Sequence, residues 1–291
     1  MTSKANIGYV GVGLMGLPMA KRLLSLGYAV RAYDIAPQSI AAARDAGAAA
    51  ASSAADAVRG SDLVLVNLPT PEAVEAAVFG ESGVASALRP PQLLVDFSTI
   101  KVAQCKAFAR RLRETTGASW IDAPVAGGPP ASGSGTLTVM AGGETADIER
   151  ARPLFADVAG HFTHMGPSGA GMATKMLNQL IVGAGHAVMA EAVVLAEAAG
   201  IDPARLPECL SGGLADSLLL QRLYPRMVKR DFAPQGYVRQ LLKDLEMVNE
   251  FAGALKAPTP MMSEALTLYR MVAHLGHTEL DTAAVLKLYE R

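Results

Sequence analysis

The stretch Ile7-Gly8-Tyr9-Val10-Gly11-Val12-Gly13-Leu14-Met15-Gly16 (IGYVGVGLMG, residues 7–16) decides the fold of this 291-residue chain. Ile7–Val10 reads as a short strand, and Pro18–Leu26 as a helix that closes at Gly27. Proline just inside the start and glycine just past the end are the punctuation a helix favours. Between them, Gly11, Gly13 and Gly16 form G-x-G-x-x-G. The first glycine permits the tight turn, the second lets a pyrophosphate approach the backbone, and the third lets helix and strand pack closely. A helix N-terminus adds unpaired N–H donors and partial positive charge. The next strand, Val30–Tyr33, ends at Asp34, 18 residues past Gly16. An acidic residue there suits the adenosine ribose hydroxyls. The expected dinucleotide contacts are therefore the loop Gly11, Val12, Gly13, Leu14, Met15 and Gly16, together with Asp34. A carboxylate at 34 repels a 2′-phosphate and Ile35-Ala36-Pro37 offers no arginine, so NAD is expected over NADP.

Outward from this loop the pattern repeats. Strands are expected at Leu63–Leu68, Leu93–Phe97, Trp120–Ala123, Thr136–Met140 and Phe162–Met165, with helices at Pro37–Ala46, Pro71–Phe79 and Val102–Thr116. Such alternation builds a mostly parallel sheet covered on both faces. After Gly166 the strands stop, and residues 169–199, 203–211, 216–229, 237–255 and 260–274 all read as helix. The fold class is thus α/β: a Rossmann-like, doubly wound, mostly parallel sheet over residues 1–165, followed by an all-α second domain over 166–291.

Composition narrows the function. Lys and Arg number 26 against 27 Asp and Glu, net −1, with no run of one sign. Nucleic acid or an anionic membrane as main partner requires a concentrated basic face. A hydrophobic content of 51% with 18% charged residues excludes disorder. Cys105 and Cys209, without C-x-x-C or Cys/His pairing, exclude a disulfide framework and a cysteine-rich zinc site, and suit a reducing cytoplasm. MTSKAN runs straight into the first strand, so no presequence is expected. The most membrane-like stretch, Leu180–Ala190, is interrupted by His186 and falls short of the ~20 apolar residues of a span, so it is expected to be a buried helix of a soluble protein. Tyr-x-x-x-Lys, G-x-x-x-x-G-K-[ST] and G-x-S-x-G are all absent, and the H-x-E at 277–279 has no following P-C-x-x-C. No Asp/Glu/His cluster has metal-ligand spacing.

Four segments carry a family resemblance: GYVGVGLMGLPMAKRL (8–23), DAPVAGGPPASGSGTLTVMAGG (122–143), GPSGAGMATKMLNQLI (166–181) and LLKDLEMV (241–248). In order and spacing they resemble the four motifs of the β-hydroxyacid dehydrogenase family, which includes 3-hydroxyisobutyrate dehydrogenase and tartronate semialdehyde reductase (2-hydroxy-3-oxopropionate reductase). The resemblance covers nearly the whole chain. It implies a Rossmann-like domain, a long interdomain helix and a helical second domain. The implied activity is reversible hydride transfer between a nicotinamide and a short 3-hydroxy acid or its semialdehyde. GGLADS (212–217) and KMLNQLIV look closer to the tartronate semialdehyde reductase branch.

Residue by residue, Lys175 matches the family's catalytic lysine and is expected to face the cleft between the domains. An ammonium there stabilises and protonates the alkoxide that hydride transfer creates. In the oxidative direction it must accept a proton, for which a pKa lowered from ~10.4 toward 7–8 is suited. Asn178, three residues on, shares its helix face and matches an asparagine that contacts substrate. Gly127 and Gly128 expose N–H groups suited to a carboxylate. Ala126 stands where the family usually has Ser, which removes one hydroxyl donor. Pro129-Pro130 is expected to stiffen this loop. Lys243 matches the lysine of the family's K-D-L motif that reaches the cofactor, and Asp244 is expected to be structural. Thr99 corresponds to a family cofactor contact, and Leu68-Pro69 lines the crevice through backbone and apolar surface. His186 is expected to be a core or interface histidine. The apolar long helix and the Ala-rich second domain suggest self-association, and the resemblance implies a homodimer or homotetramer. Two rivals stand beside this reading: a relative acting on a 3-hydroxy amino acid or a non-carboxylated aldehyde, and a dinucleotide-binding sensor without chemistry.

Overall fold

The computed structural model describes residues 4–290, and all counts below refer to these. Nine strands form one sheet: β1 (Asn6–Val10), β2 (Ala29–Tyr33), β3 (Ala49–Ala50), β4 (Leu63–Val66), β5 (Leu93–Asp96), β6 (Ser119–Asp122), β7 (Val125–Ala126), β8 (Leu137–Gly142) and β9 (Ala159–Gly166). The order is β3-β2-β1-β4-β5-β6-β8-β7, with β9 on β8. The first six are parallel, and this is the doubly wound dinucleotide-binding order. Its switch point lies at β1, flanked by β2 and β4. There the backbone continues the pairing past the strand ends: Gly11 N–H donates to Tyr33 O at 2.9 Å, and Asn67 N–H donates to Val10 O at 3.0 Å. After β6 the direction reverses, β8 running antiparallel to both β6 and β7.

The parallel strands are apolar on both faces because helices cover both. β4 and β5 are buried at every position. Ile7, Tyr9, Leu65, Val95 and Ile121 join Met19, Leu23 and Phe155 in one core. The helix Gly16–Ser25 begins two residues earlier than the sequence suggests and carries Pro18 in its first turn. Residues 145–158, unassigned from sequence, form a helix despite Pro153. Its buried residues Ile148, Ala151, Leu154, Phe155 and Val158 fall on one helical stripe.

Two compact units divide the chain, Met1–Lys175 and Met176–Arg291. The 29-residue helix Ala170–Ala198 runs through the division. By length and composition it is apolar enough to cross a membrane. It is only in part the buried helix expected over Leu180–Ala190: Met176, Ala187, Ala190 and Val193 are buried, whereas Leu177, Ile181, Val188 and Leu195 are exposed.

The second unit continues with Leu206–Leu210, Tyr224–Val228, Val238–Ala254 and Pro260–His274, and ends in a 3-10 segment, Thr282–Tyr289, that sequence periodicity does not reveal. The helix expected over 216–229 is continuous over 218–228 but changes its winding. Leu219–Leu223 winds as a π-helix ahead of Pro225, whose missing N–H cannot close the regular ladder. His186 is a core histidine as expected. Its Nδ1 lies 2.7 Å from Val182 O and its Nε2 3.1 Å from Thr282 Oγ1, and burial pushes its pKa down. Asp281 organises the end of this unit, accepting N–H from Gln235 and Ala283 and pairing with Arg226 at 3.0 Å.

Candidate active site

The glycine loop is closed on one side and open on the other. Gly11 has φ +93°, and a Cβ there would overlap Asn67 O, while one on Gly16 would overlap Gly11 O. A Cβ on Gly13 would meet nothing within 4 Å. Gly13 and Leu14 are exposed, Met15 is half-buried and Val12 is buried. Asp34 is already fixed in place: Oδ2 accepts the Val12 N–H at 2.9 Å, and Oδ1 accepts the Ala36 N–H at 2.9 Å. Each carboxylate oxygen retains a free acceptor site.

Leu68, Pro69 and Thr99 follow β4 and β5 on the same sheet edge. Two residues not selected from the sequence as site residues hold these turns and the glycine loop, respectively. Buried Ser98 accepts the Leu68 N–H at 2.9 Å and donates its own N–H to Asp96 Oδ1 at 2.9 Å. Ser132, fully buried, donates to Met15 O at 2.8 Å and so ties the 128–134 helix to the glycine loop. Ser98 lies in none of the four motifs and Ser132 lies inside the second, but each acts through a backbone group distant in sequence, so neither role shows in the motif itself.

The segment after β6 differs from the open loop expected. Val125–Ala126 pairs with β8 as β7, and Gly128–Ser134 is a short helix. Pro129 and Pro130 start this helix rather than stiffen a loop, because proline's fixed φ suits a first helical turn. Gly127 is exposed, with φ +122°.

Asp122 ends β6 and is fully buried. Its Oδ1 accepts the Gly169 N–H at 2.7 Å and its Oδ2 the Met172 N–H at 3.0 Å. Burial raises its pKa, and the two N–H bonds oppose that rise. One turn past Met172 is Lys175, 7% exposed, whose Nζ donates to Val125 O at 2.9 Å. Cys105, buried against Asp122, has its thiol pKa pushed well up by desolvation first and by the carboxylates second.

The second unit brings together Asn178 and Lys243. Asn178 Nδ2 donates to Gln179 Oε1 at 2.7 Å, Gln179 Nε2 donates to Asp244 Oδ2 at 2.6 Å, and Lys243 Nζ lies 3.2 Å from Asp244 Oδ1. Gln179 and Asp244 are buried. Asp244 therefore links Lys243 to the long helix, the structural part expected of it. Gln179 was missed, although its position next to Asn178 in a motif was a usable signal.

Comparison with known proteins fits both halves. The model of the NAD-binding domain of 6-phosphogluconate dehydrogenase matches residues 6–166, and that of the NAD-binding region of NADP-dependent 3-hydroxyisobutyrate dehydrogenase matches 169–289. The chain is 34% identical to 2-hydroxy-3-oxopropionate reductase of Escherichia coli, across 98% of this chain and 97% of that one. The chain belongs to the β-hydroxyacid dehydrogenase family. Among other members, it is 36% identical to the NAD-dependent L-serine dehydrogenase of Pseudomonas aeruginosa, over 98% of each chain. The Mycobacterium tuberculosis 3-hydroxyisobutyrate dehydrogenase, solved with L-serine, superposes with TM-score 0.88 at 31% identity, over 99% of each chain.

As a member of this family the protein is a nicotinamide-dependent oxidoreductase with a Rossmann domain followed by a helical one. The loop fits such a coenzyme: open space stands outside Gly13, and Asp34 is held with acceptor sites to spare. Gly16→Ala should therefore destabilise the coenzyme-free protein by about 1–3 kcal/mol through overpacking. Gly13→Ala should stay within about 0.5 kcal/mol of wild type. Urea unfolding of both variants checks this, and equal losses would refute the two-sided description of the loop.

Proposed function

We propose that this protein catalyses reversible hydride transfer between NAD(H) and a short 3-hydroxy acid and its semialdehyde, of the tartronate semialdehyde or 3-hydroxyisobutyrate type, with Lys175 as general acid and base. The observation that carries the reading is the buried Lys175 ammonium, its Nζ 2.9 Å from Val125 O, at the position of the family's lysine. NADH supplies the hydride to the carbonyl carbon when bound. Lys175 supplies the proton to the carbonyl oxygen, leaving a neutral amine and an alcohol; in oxidation it takes that proton back. The carbonyl of Val125 orients the ammonium without neutralising it.

In this reading residues 1–165 bind the coenzyme and residues 166–291 contribute substrate recognition and subunit contacts. Gly11, Val12, Gly13, Leu14, Met15 and Gly16 cradle the pyrophosphate. Asp34 binds the adenosine ribose and favours NAD. Leu68, Pro69 and Thr99 line the nicotinamide side, and Lys243, oriented by Asp244, adds a coenzyme contact. Asn178, held by Gln179, bonds the substrate hydroxyl or carboxylate, and the N–H groups of Gly127 and Gly128 receive the carboxylate. Ala126 provides no hydroxyl there, and a hydrogen bond to a charged group is worth about 1.5–3 kcal/mol. A 3-hydroxy amino acid is the second reading, favoured by the 36% identity to a relative named for L-serine.

We also propose a homodimer or homotetramer. Leu177, Ile181, Val188 and Leu195 lie exposed at steps of four, seven and seven residues, one apolar stripe along the long helix. Both cysteines are unpaired, which supports a cytoplasmic location.

Three measurements test these proposals. Across a panel of semialdehydes with NADH and hydroxy acids with NAD, Lys175→Ala should lower kcat by about 10²–10⁴-fold and leave NADH binding intact. Retained turnover removes the lysine from the chemistry, and a higher kcat/KM with NADPH overturns the coenzyme assignment. Ala126→Ser should raise kcat/KM for carboxylated aldehydes about tenfold, the restored bond's worth; no gain argues that position 126 does not contact the carboxylate. In solution, sedimentation should give twice or four times the chain mass, whereas a monomer ends the oligomer proposal.

A further inference from the structure

Lys175 is held at both ends by a single four-residue segment. At its root, the first turn of the Ala170–Ala198 helix is fixed by Asp122, whose two oxygens accept the Gly169 and Met172 N–H groups. At its tip, Nζ donates to the carbonyl of Val125, three residues after Asp122. The first N–H groups of a helix have no partner within it, so the side chain of Asp122 provides the cap that the helix's own sequence, Ser168-Gly169-Ala170-Gly171, does not. The fit leaves little play. A Cβ on Gly142 would stand 2.7 Å from both carboxylate oxygens, and one on Gly171 would overlap Met140 O and crowd Asp122 O at 2.6 Å.

We propose that Asp122 is a positioning residue for the reaction: by fixing where the long helix starts, it sets the Lys175 ammonium over the carbonyl of Val125. This rests on the reading of Lys175 as the proton donor. Asp122 itself touches no reacting atom and moves no proton. Its effect passes through the helix root, and an error of about 1 Å in a reacting group can cost 10²-fold in rate.

The test is a double-mutant cycle on the full-length enzyme, with kcat and NADH affinity measured throughout. Asp122→Asn keeps the shape but turns one oxygen into an NH2 that faces an N–H donor. It should lower kcat about 10- to 100-fold in the Lys175 enzyme, keep the NADH Kd within about twofold of wild type, and leave the residual rate of Lys175→Ala unchanged. An equal loss in both backgrounds shows general disruption and overturns the proposal, as does an Asp122→Asn enzyme with wild-type kcat. Should Asp122→Asn not fold, Gly142→Ala, which displaces the carboxylate while keeping it, replaces it in the cycle: a kcat loss confined to the Lys175 background supports the proposal, and an equal loss or none overturns it. If Lys175→Ala turns over like wild type, it is the acid–base reading that fails. If Lys175→Ala is inactive and Asp122→Asn is normal, only the positioning role is lost.

Discussion

A carboxylate buried at the end of a strand and bonded to two backbone N–H groups is the constraint on which the middle of this chain depends. Asp122 has given up water entirely, and a buried acceptor left unpaired would cost about 1–3 kcal/mol or more when charged. The Gly169 and Met172 N–H groups offset that cost. Each of those donors is itself an orphan of a helix start, so one side chain satisfies both deficits. The glycines of the DAPVAGG…VMAGG and GPSGAG segments then read as consequences. Gly142 and Gly171 are the positions where backbone must come within contact distance of this carboxylate.

The parallel half of the fold was legible because its strands are buried on both faces. Leu63–Val66 and the Leu93–Val95 part of β5 are continuous apolar runs, and such runs survive even when their ends are misjudged by a residue or two. What escaped were elements whose sequence carries no period. Ala49–Ala50 and Val125–Ala126 are two residues each, and they pair because their neighbours present an open edge. Thr145–Val158 was hidden by Pro153, which sits inside a helix whose apolar stripe nonetheless carries it. In the second unit the helices were visible but the π-helical turn was not, since Pro225 perturbs the turn before it rather than ending the helix.

The residues proposed to carry the chemistry were easier to find than the groups that hold them. Lys175, Asn178, Lys243 and the glycine loop all sit in motifs, and on the proposed reading the chemistry demands particular side chains at those places. Ser98 and Ser132 act on backbone groups and Gln179 on the side chains of Asn178 and Asp244, and several residue types could do so. Only the fold shows that Ser132 reaches Met15, 117 residues away in sequence. Asp122 opens one of the four family motifs and still escapes a reading by sequence, since an acid beside a glycine-rich segment suggests a ligand rather than a helix cap.

On the proposed reading, recognition and folding become inseparable at Asp34. Its carboxylate is committed to the N–H groups of Val12 and Ala36 before any coenzyme arrives, which fixes both the glycine loop and the turn after β2. On the proposed reading, the acceptor sites left over bind the ribose hydroxyls and the negative charge repels a 2′-phosphate. Preference for NAD then needs no rearrangement, because the repelling group is immobile. Replacing the acid by a basic residue to admit NADP would remove both backbone acceptors along with the repulsion. A change of coenzyme at this site is therefore also a change in the stability of the loop, and it requires new partners for Val12 and Ala36 before it can yield a working enzyme.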